Sequence, residues 1–349
     1  MTGLALEGGG VRGSYQAGVY MAMYEHGIKI DGVCGTSIGA LNGVIIASGK
    51  GAELPRIWRS LSMGHVFGFS DSFIDAYAKK QMNFSFIKLT ITSLFKILRN
   101  KGIELKGLKE VIDKYLIVDD LLNSDMDFGL CTVRFKDLKP LYLFKEDMNP
   151  ERIKDYVLAS AFLPIFKREK LIDDNYYLDG GFYDIGPVNM LLEKGYDKIY
   201  LVKVHGIGLS RAYSEDANVI VIESKRSLGG VMTLDPSRIE ENIKMGYYDT
   251  IRILKNYDGE KYVFKAKSEN YYKFLNRKVN KKLYRRIKNF FKTKDYKDTT
   301  IKALEYVMEH ENINYYEIYS PAKLLRHLKK HIKKDYFIYK YVKKLKHLI

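Results

Sequence analysis

Ser37 stands at the centre of Gly35-Thr36-Ser37-Ile38-Gly39, a short way downstream of the glycine run Gly8-Gly9-Gly10-Val11-Arg12-Gly13. A serine hydroxyl attacks a carbonyl only when one group takes its proton and another stabilises the oxyanion that forms. In a G-x-S-x-G turn, Gly35 and Gly39 let the chain swing sharply from strand to helix and leave the serine at the tip. Glycines in succession can aim backbone N–H groups at an anion, because no side chain blocks the approach. Acyl transfer, and ester hydrolysis in particular, is the chemistry this pair of motifs fits.

The glycine run supports a second reading. Gly8, Gly10 and Gly13 satisfy G-x-G-x-x-G between a strand and a helix, with Asp31 about 20 residues on, as in a dinucleotide site. Such a site needs a second strand that ends in the ribose-binding acid. Here that strand runs straight into Gly-Thr-Ser-Ile-Gly, which favours the serine reading. A phosphate-binding P-loop is excluded, since Ser14 occupies the place of its lysine. Arg12 either orders the glycine loop by bonding neighbouring carbonyls or faces solvent.

The base is sought among acids and histidines. Asp179 closes the apolar run Tyr176-Tyr177-Leu178 and is followed by Gly180 and Gly181, which permit close backbone approach. A carboxylate at its reference pKa of about 4 is a weak base, so Asp179 would need a partly desolvated site. Asp173, Asp174 and Asp184 read as turn or surface residues. Of the seven histidines, only His205 follows an apolar strand, Ile199–Val204, and a Ser37–Asp179–His205 triad is a possible order. Too few residues precede Ser37 to supply the strands that normally come before the elbow in that fold, so direct action by Asp179 is preferred.

The surrounding pattern alternates strand and helix. Residues 2–6, 30–34, 199–204 and 219–222 read as strands, and 128–133 pairs with 141–144. Residues 14–26, 38–47 and 187–193 read as helices, with Gly27 as a C-cap. This alternation predicts an α/β fold with a mostly parallel central sheet flanked by helices. The aromatics Phe67, Phe69, Phe73, Phe84, Phe86 and Phe95, with Ile87, read as core or as the lining of an acyl channel.

Three separated motifs in this order resemble the patatin-like phospholipase family: Gly8-Gly9-Gly10-Val11-Arg12-Gly13, Gly35-Thr36-Ser37-Ile38-Gly39 and Asp179-Gly180-Gly181. The stretch Ala159-Ser160-Ala161-Phe162-Leu163-Pro164 is similar to the family's small-residue helix end before the acid. The resemblance implies a three-layer α/β/α domain and a Ser–Asp dyad, with Ser37 as nucleophile and Asp179 as general base. It further implies an oxyanion hole from the Gly8-Gly9-Gly10 backbone, and no histidine, metal, nucleotide or other cofactor. The expected substrates are ester bonds of phospholipids or other lipids, cleaved through an acyl-enzyme. Glu7 stands where many members carry aspartate, a conservative difference.

Charge divides the chain more sharply than composition does. The net charge is +16, yet residues 251–349 alone carry +17. Residues 1–250 are therefore expected to form the catalytic domain and 251–349 a basic, mainly helical region. Ser320 and Pro321 open a predicted amphipathic helix in which Leu325, Leu328, Ile332, Tyr336, Tyr339, Val342 and Leu345 alternate with lysines and arginines. That face fits an anionic membrane surface, or packs its apolar stripe on the catalytic domain. Nucleic acid is disfavoured, because no recognition motif accompanies the charge. An anionic-surface or nucleotide-binding module is thus the alternative to an enzyme. No apolar run reaches the ~20 residues of a membrane span, and the N-terminus lacks a signal-peptide pattern. Cys34 and Cys131 offer no disulfide framework and no metal-ligand spacing. A cytoplasmic protein, peripheral at the membrane if the basic region binds it, is the expectation.

Overall fold

Leu4, Ala5 and Leu6 are all fully buried, as an apolar run covered on both faces must be. They belong to β1 (Thr2–Leu6), at the middle of the sheet in a computed structural model that describes residues 1–61, 105–232, 234–331 and 336–346. The chain divides into two compact units, Met1–Tyr247 and Tyr248–Ile349.

In the first unit α1 (Gly13–Glu25), β2 (Gly32–Thr36), α2 (Ile38–Ile45) and α3 (Leu54–Ser60) follow β1. After α4 (Lys106–Tyr115) and α5 (Val118–Leu122) come β3 (Asp127–Arg134), β4 (Lys139–Phe144), α6 (Ile153–Ser160) and β5 (Tyr177–Asp179). The unit is completed by α7 (Val188–Glu193), β6 (Lys198–Lys203), β7 (Val219–Glu223) and most of α8 (Pro236–Leu254). The sheet runs β4-β3-β2-β1-β6-β7, with β5 also on β3. Pairings among β1, β2, β3, β6 and β7 are parallel, whereas β4 and β5 join β3 antiparallel.

Helices cover both faces, as expected. On one side Gly43 of α2 lies against Val33, Phe128 and Leu6. On the other, Ala5, Cys34, Ile199 and Leu201 form a buried cluster with Val188, Met190 and Leu191 of α7. Strand order reverses at β1: the chain moves outward through β2 and β3, then returns to β1's other edge as β6. The crevice at the C-terminal end of β1 is therefore the switch point where open α/β sheets bind ligands.

The second unit contains α9 (Glu269–Leu275), α10 (Lys281–Phe291), α11 (Tyr296–His310), α12 (Pro321–His331), α13 (Phe337–Lys344) and the parallel pair β8 (Val263–Phe264) and β9 (Ile318–Tyr319). It corrects the single C-terminal amphipathic helix, because α12 ends at His331 and α13 begins at Phe337. Leu325, Leu328, Tyr339, Val342 and Leu345 are buried in this unit's own core with residues of α9 and α11, so that stripe has found its cover there. Tyr336 stays about half exposed, at 47%. Ile332 and the aromatic group Phe67 to Phe95 with Ile87 lie outside the described residues. Among the described residues, no helix is long and apolar enough to cross a membrane.

Candidate active site

β3 carries two neighbours on one edge, end to end. Along β2 the register runs from Gly32–Asp127 to Thr36–Cys131; along β5 it runs from Arg134–Tyr177 to Thr132–Asp179. Where β2 leaves the sheet after Thr36, β5 arrives from the opposite direction and ends at Asp179. Ser37 and Asp179 are thereby delivered to the same gap from 142 positions apart.

Ser37 has φ 57° and ψ −123°, a strained left-handed-side conformation for a residue with a side chain. Its carbonyl accepts the N–H groups of Ala40 and Leu41 at 2.9 and 3.1 Å, which starts α2. The flanking glycines are required by close approach. A Cβ on Gly35 would stand 2.3 Å from the backbone of Gly39, and one on Gly39 would stand 2.2 Å from the Leu6 carbonyl oxygen. The turn is thus pressed against both itself and the end of β1. Ser37 sits at the N-terminus of α2, where the peptide dipoles favour negative charge.

Asp179 is only 4% exposed. Its Oδ1 accepts the Gly181 N–H at 2.8 Å, the turn bond that Gly180 and Gly181 make possible. Its Oδ2 is buried with no partner at hydrogen-bond length. Burial pushes the carboxyl up to about 6, while the Ser37 side chain and the Gly181 N–H pull in the opposite sense. The Ser37 hydroxyl thus stabilises the ionised form of Asp179 in the same sense as the Gly181 amide does. A buried acid with an orphaned oxygen is costly unless a proton or donor arrives.

The glycine loop lies against the same serine. A Cβ on Gly8 would be 3.3 Å from Ser37 Cβ. Gly8 itself donates its N–H to the Ile185 carbonyl at 2.9 Å, which corrects the expectation that all three glycine amides serve an anion. The N–H groups of Gly9 and Gly10 have no partner among the described residues. Gly10 takes φ 57°, and a Cβ there would stand 2.1 Å from the Val231 carbonyl oxygen. Gly13 opens α1 against Trp58 and Asn42.

Arg12 orders the loop, settling one of its two readings. Nε donates to the Gly229 carbonyl at 2.8 Å and Nη1 to the carbonyls of Val204 and His205. Glu7 meets the same two residues from their other side, its Oε2 accepting the N–H groups of Val204 at 2.5 Å and His205 at 2.7 Å. The end of β6 is held by an acid on its amides and a guanidinium on its carbonyls. Burial raises the Glu7 pKa, partly offset by those two amide bonds. The loop is anchored on the helix side too: Gln16 Nε2 donates to the Glu7 carbonyl at 2.6 Å, and Asn42 Nδ2 donates to Gln16 Oε1 at 2.8 Å and to the Gly13 carbonyl at 3.0 Å.

Among the described residues, Asp173, Asp174, Asp184 and His205 make no hydrogen bond to Ser37, although the Asp184 carbonyl accepts the hydroxyl of neighbouring Thr36 at 2.8 Å. Asp173 and Asp174 are exposed turn residues with positive φ. Asp184 corrects its surface reading: it is fully buried, and its Oδ2 accepts the Tyr142 hydroxyl at 2.9 Å. The sequence signal for it was weak, because its partner lies far off in the chain, on β4. The His205 side chain is 55% exposed and faces Glu223 at 3.7 Å.

Fold and site define a family. The chain belongs to the patatin-like phospholipases, whose family pattern matches residues 4–192. It is 58% identical over 45 residues to "Lysophospholipase nte1" of Aspergillus terreus (strain NIH 2624 / FGSC A1156), covering 13% of this chain and 3% of that protein. With "Lysophospholipase NTE1" of Mycosarcoma maydis it shares 27% over 221 residues, covering 61% of this chain and 10% of that one. The chain spans a tenth or less of the length of these curated relatives. Among solved structures it is similar to VipD from Legionella pneumophila, with TM-score 0.45 and 15% identity over 98% of this chain and 83% of that one. The type III effector protein ExoU matches with TM-score 0.37 and 14% identity, over 98% and 70% of the respective chains.

Proposed function

We propose that the first unit is a serine acyl hydrolase that cleaves ester bonds of phospholipids or other lipids through a Ser37–Asp179 dyad. The observation that carries this reading is the buried, partnerless Asp179 Oδ2 beside the strained Ser37. Asp179 takes the hydroxyl proton as Ser37 Oγ attacks the ester carbonyl. The oxyanion accepts hydrogen bonds from the Gly9 and Gly10 amides, aided by the N-terminus of α2. Collapse returns the proton to the leaving alcohol and leaves an acyl-serine, which water hydrolyses with Asp179 again as base. The names of the two curated relatives, both lysophospholipases, are consistent with this substrate class.

The dinucleotide alternative finds no support. Asp31, the acid it requires, immediately precedes β2 and accepts the Thr2 N–H at 2.8 Å, so it stands at the N-terminal ends of β1 and β2, opposite the end of β1 from which the glycine loop leaves. For the basic region, the reading is contact with an anionic bilayer through its cationic surface, which would make the protein peripheral on the cytoplasmic side of a membrane. It draws on the +17 of residues 251–349. Its former apolar stripe contributes little, being already buried.

The test is labelling with a fluorophosphonate probe, followed by a panel of lipid esters read out by mass. Wild type should be labelled at Ser37 and release fatty acid; Ser37→Ala should do neither. Turnover that survives Ser37→Ala would end the reading.

A further inference from the structure

Ser160 is the last residue of α6 and is fully buried, yet the chemistry above does not use it. Its Oγ accepts the N–H of Ser37 at 3.0 Å and donates to the Cys131 carbonyl at 2.7 Å. Cys131 is the β3 partner of Thr36, the last residue of β2. The hydroxyl therefore bridges β2 and β3 at the point where the backbone ladder between them ends. Without it, the Ser37 amide has left its strand and has no other acceptor among the described residues.

The same helix end touches the other half of the site. The Phe162 carbonyl accepts the Asp179 N–H at 2.8 Å, and the Ala159 carbonyl accepts the Thr132 hydroxyl at 3.0 Å. The same Thr132 hydroxyl shares its single proton with the Leu178 carbonyl, also at 3.0 Å, bracing β5 just before Asp179. Three residues within four consecutive positions, Ala159, Ser160 and Phe162, thus hold the strand between them, the serine and the acid. Only Ser160 reaches the serine, and it does so with a side chain.

We propose that Ser160 is a positioning residue: its hydroxyl, inserted between Ser37 N–H and Cys131 C=O, holds the Ser37 side chain in line with Asp179. The inference rests on the dyad reading. A hydroxyl suits the role because it donates and accepts at once, which alanine cannot do and which a backbone group at this gap could do only by closing β2 onto β3. Closing the strands would remove the room that β5 needs to bring Asp179 in. Ser160 lets the sheet split without stranding a buried amide.

The experiment compares Ser160→Ala and Ser160→Thr with wild type on p-nitrophenyl butyrate, with fluorophosphonate labelling and melting curves in parallel. Misplacing the nucleophile by a fraction of an ångström should lower kcat and the labelling rate by about 10- to 100-fold in Ser160→Ala, with KM little changed. Ser160→Thr, which keeps the hydroxyl, should restore most of both. A Ser160→Ala protein with unchanged kcat and labelling, whatever its melting temperature, overturns the proposal. If Ser160→Ala does not fold, Ser160→Cys is read by the same criterion, because sulfur fills the space while accepting poorly. Ser37→Ala and Asp179→Asn run alongside as controls. Turnover that persists in those two defeats the dyad itself; turnover lost there but intact without the Ser160 hydroxyl defeats only the positioning role.

Discussion

Asp179 pairs with Thr132, one rung beyond the Cys131 that closes the pairing of β3 with β2. This single step in register puts the acid next to the residue that follows Thr36, and the local chemistry depends on it.

If Asp179 is the base, Asp179→Asn keeps the side-chain volume and the Oδ1 acceptor for Gly181 while removing proton affinity. Turnover should fall by about 10²- to 10⁴-fold. His205→Asn, which tolerates the positive φ of 52° at that position, should stay within about threefold of wild type. Steady-state kinetics on one ester substrate check both; the reverse pattern would favour a histidine-dependent triad.

The pH profile follows from a carboxyl raised to about 6. The base must be ionised, so kcat/KM should climb with pH through that value and level off above it. A rate that is flat between pH 4.5 and 8 would argue against Asp179 as the titrating group.

The same shift has a stability consequence. The folded state binds this proton more tightly than the unfolded chain does. Its contribution therefore favours the fold below the ordinary carboxylate range and is lost as pH rises through about 6. Asp179→Asn is neutral throughout and should be more stable than wild type at pH 7.5 by about 1–3 kcal/mol. Melting curves at pH 7.5 and pH 4 should show that gain shrinking on acidification.

Gly39→Ala places a methyl group 2.2 Å from the Leu6 carbonyl oxygen, a backbone atom that cannot step aside without moving β1. A loss of at least about 2 kcal/mol is expected, with fluorophosphonate labelling greatly slowed. Denaturant unfolding and labelling rates measured on one preparation test this.

Arg12→Met keeps the aliphatic stem and removes the donors to Gly229, Val204 and His205. Leaving partly buried carbonyls without partners should cost about 1–3 kcal/mol. Turnover should fall by about tenfold, since the glycine amides lose the support that fixes their direction. Unchanged turnover with lowered stability would confine Arg12 to a structural role.

For the basic region, flotation with vesicles containing phosphatidylserine should show binding at low salt that weakens sharply as salt approaches 0.5 M, where screening shortens to a few ångströms. Salt-insensitive binding would remove the electrostatic proposal.

Much of the α/β unit was legible because its signals are local. Leu4-Ala5-Leu6 reads as a buried strand from its own side chains, and Gly27 caps α1 with φ 67° as its position suggests. The break between α12 and α13 was not legible, since an apolar repeat can continue in spacing although the helix does not: Tyr336, just before α13, is extended. Asp184 misled for a related reason: what decides its burial is the Tyr142 hydroxyl, 42 residues away.

Residue types and short spacings determined the turn around Ser37, the glycine loop and the strand that ends in Asp179, because sterics and dihedral preference act between near neighbours. Tertiary structure alone decided that β5 docks beyond the end of β2 and that Ser160 bridges the split. It also decided that Glu7 and Arg12 grip the same two residues just after β6 and that Gly8's amide is already taken. These outcomes depend on which distant backbone groups remain unpaired once the sheet has formed, and that inventory exists only in the folded chain.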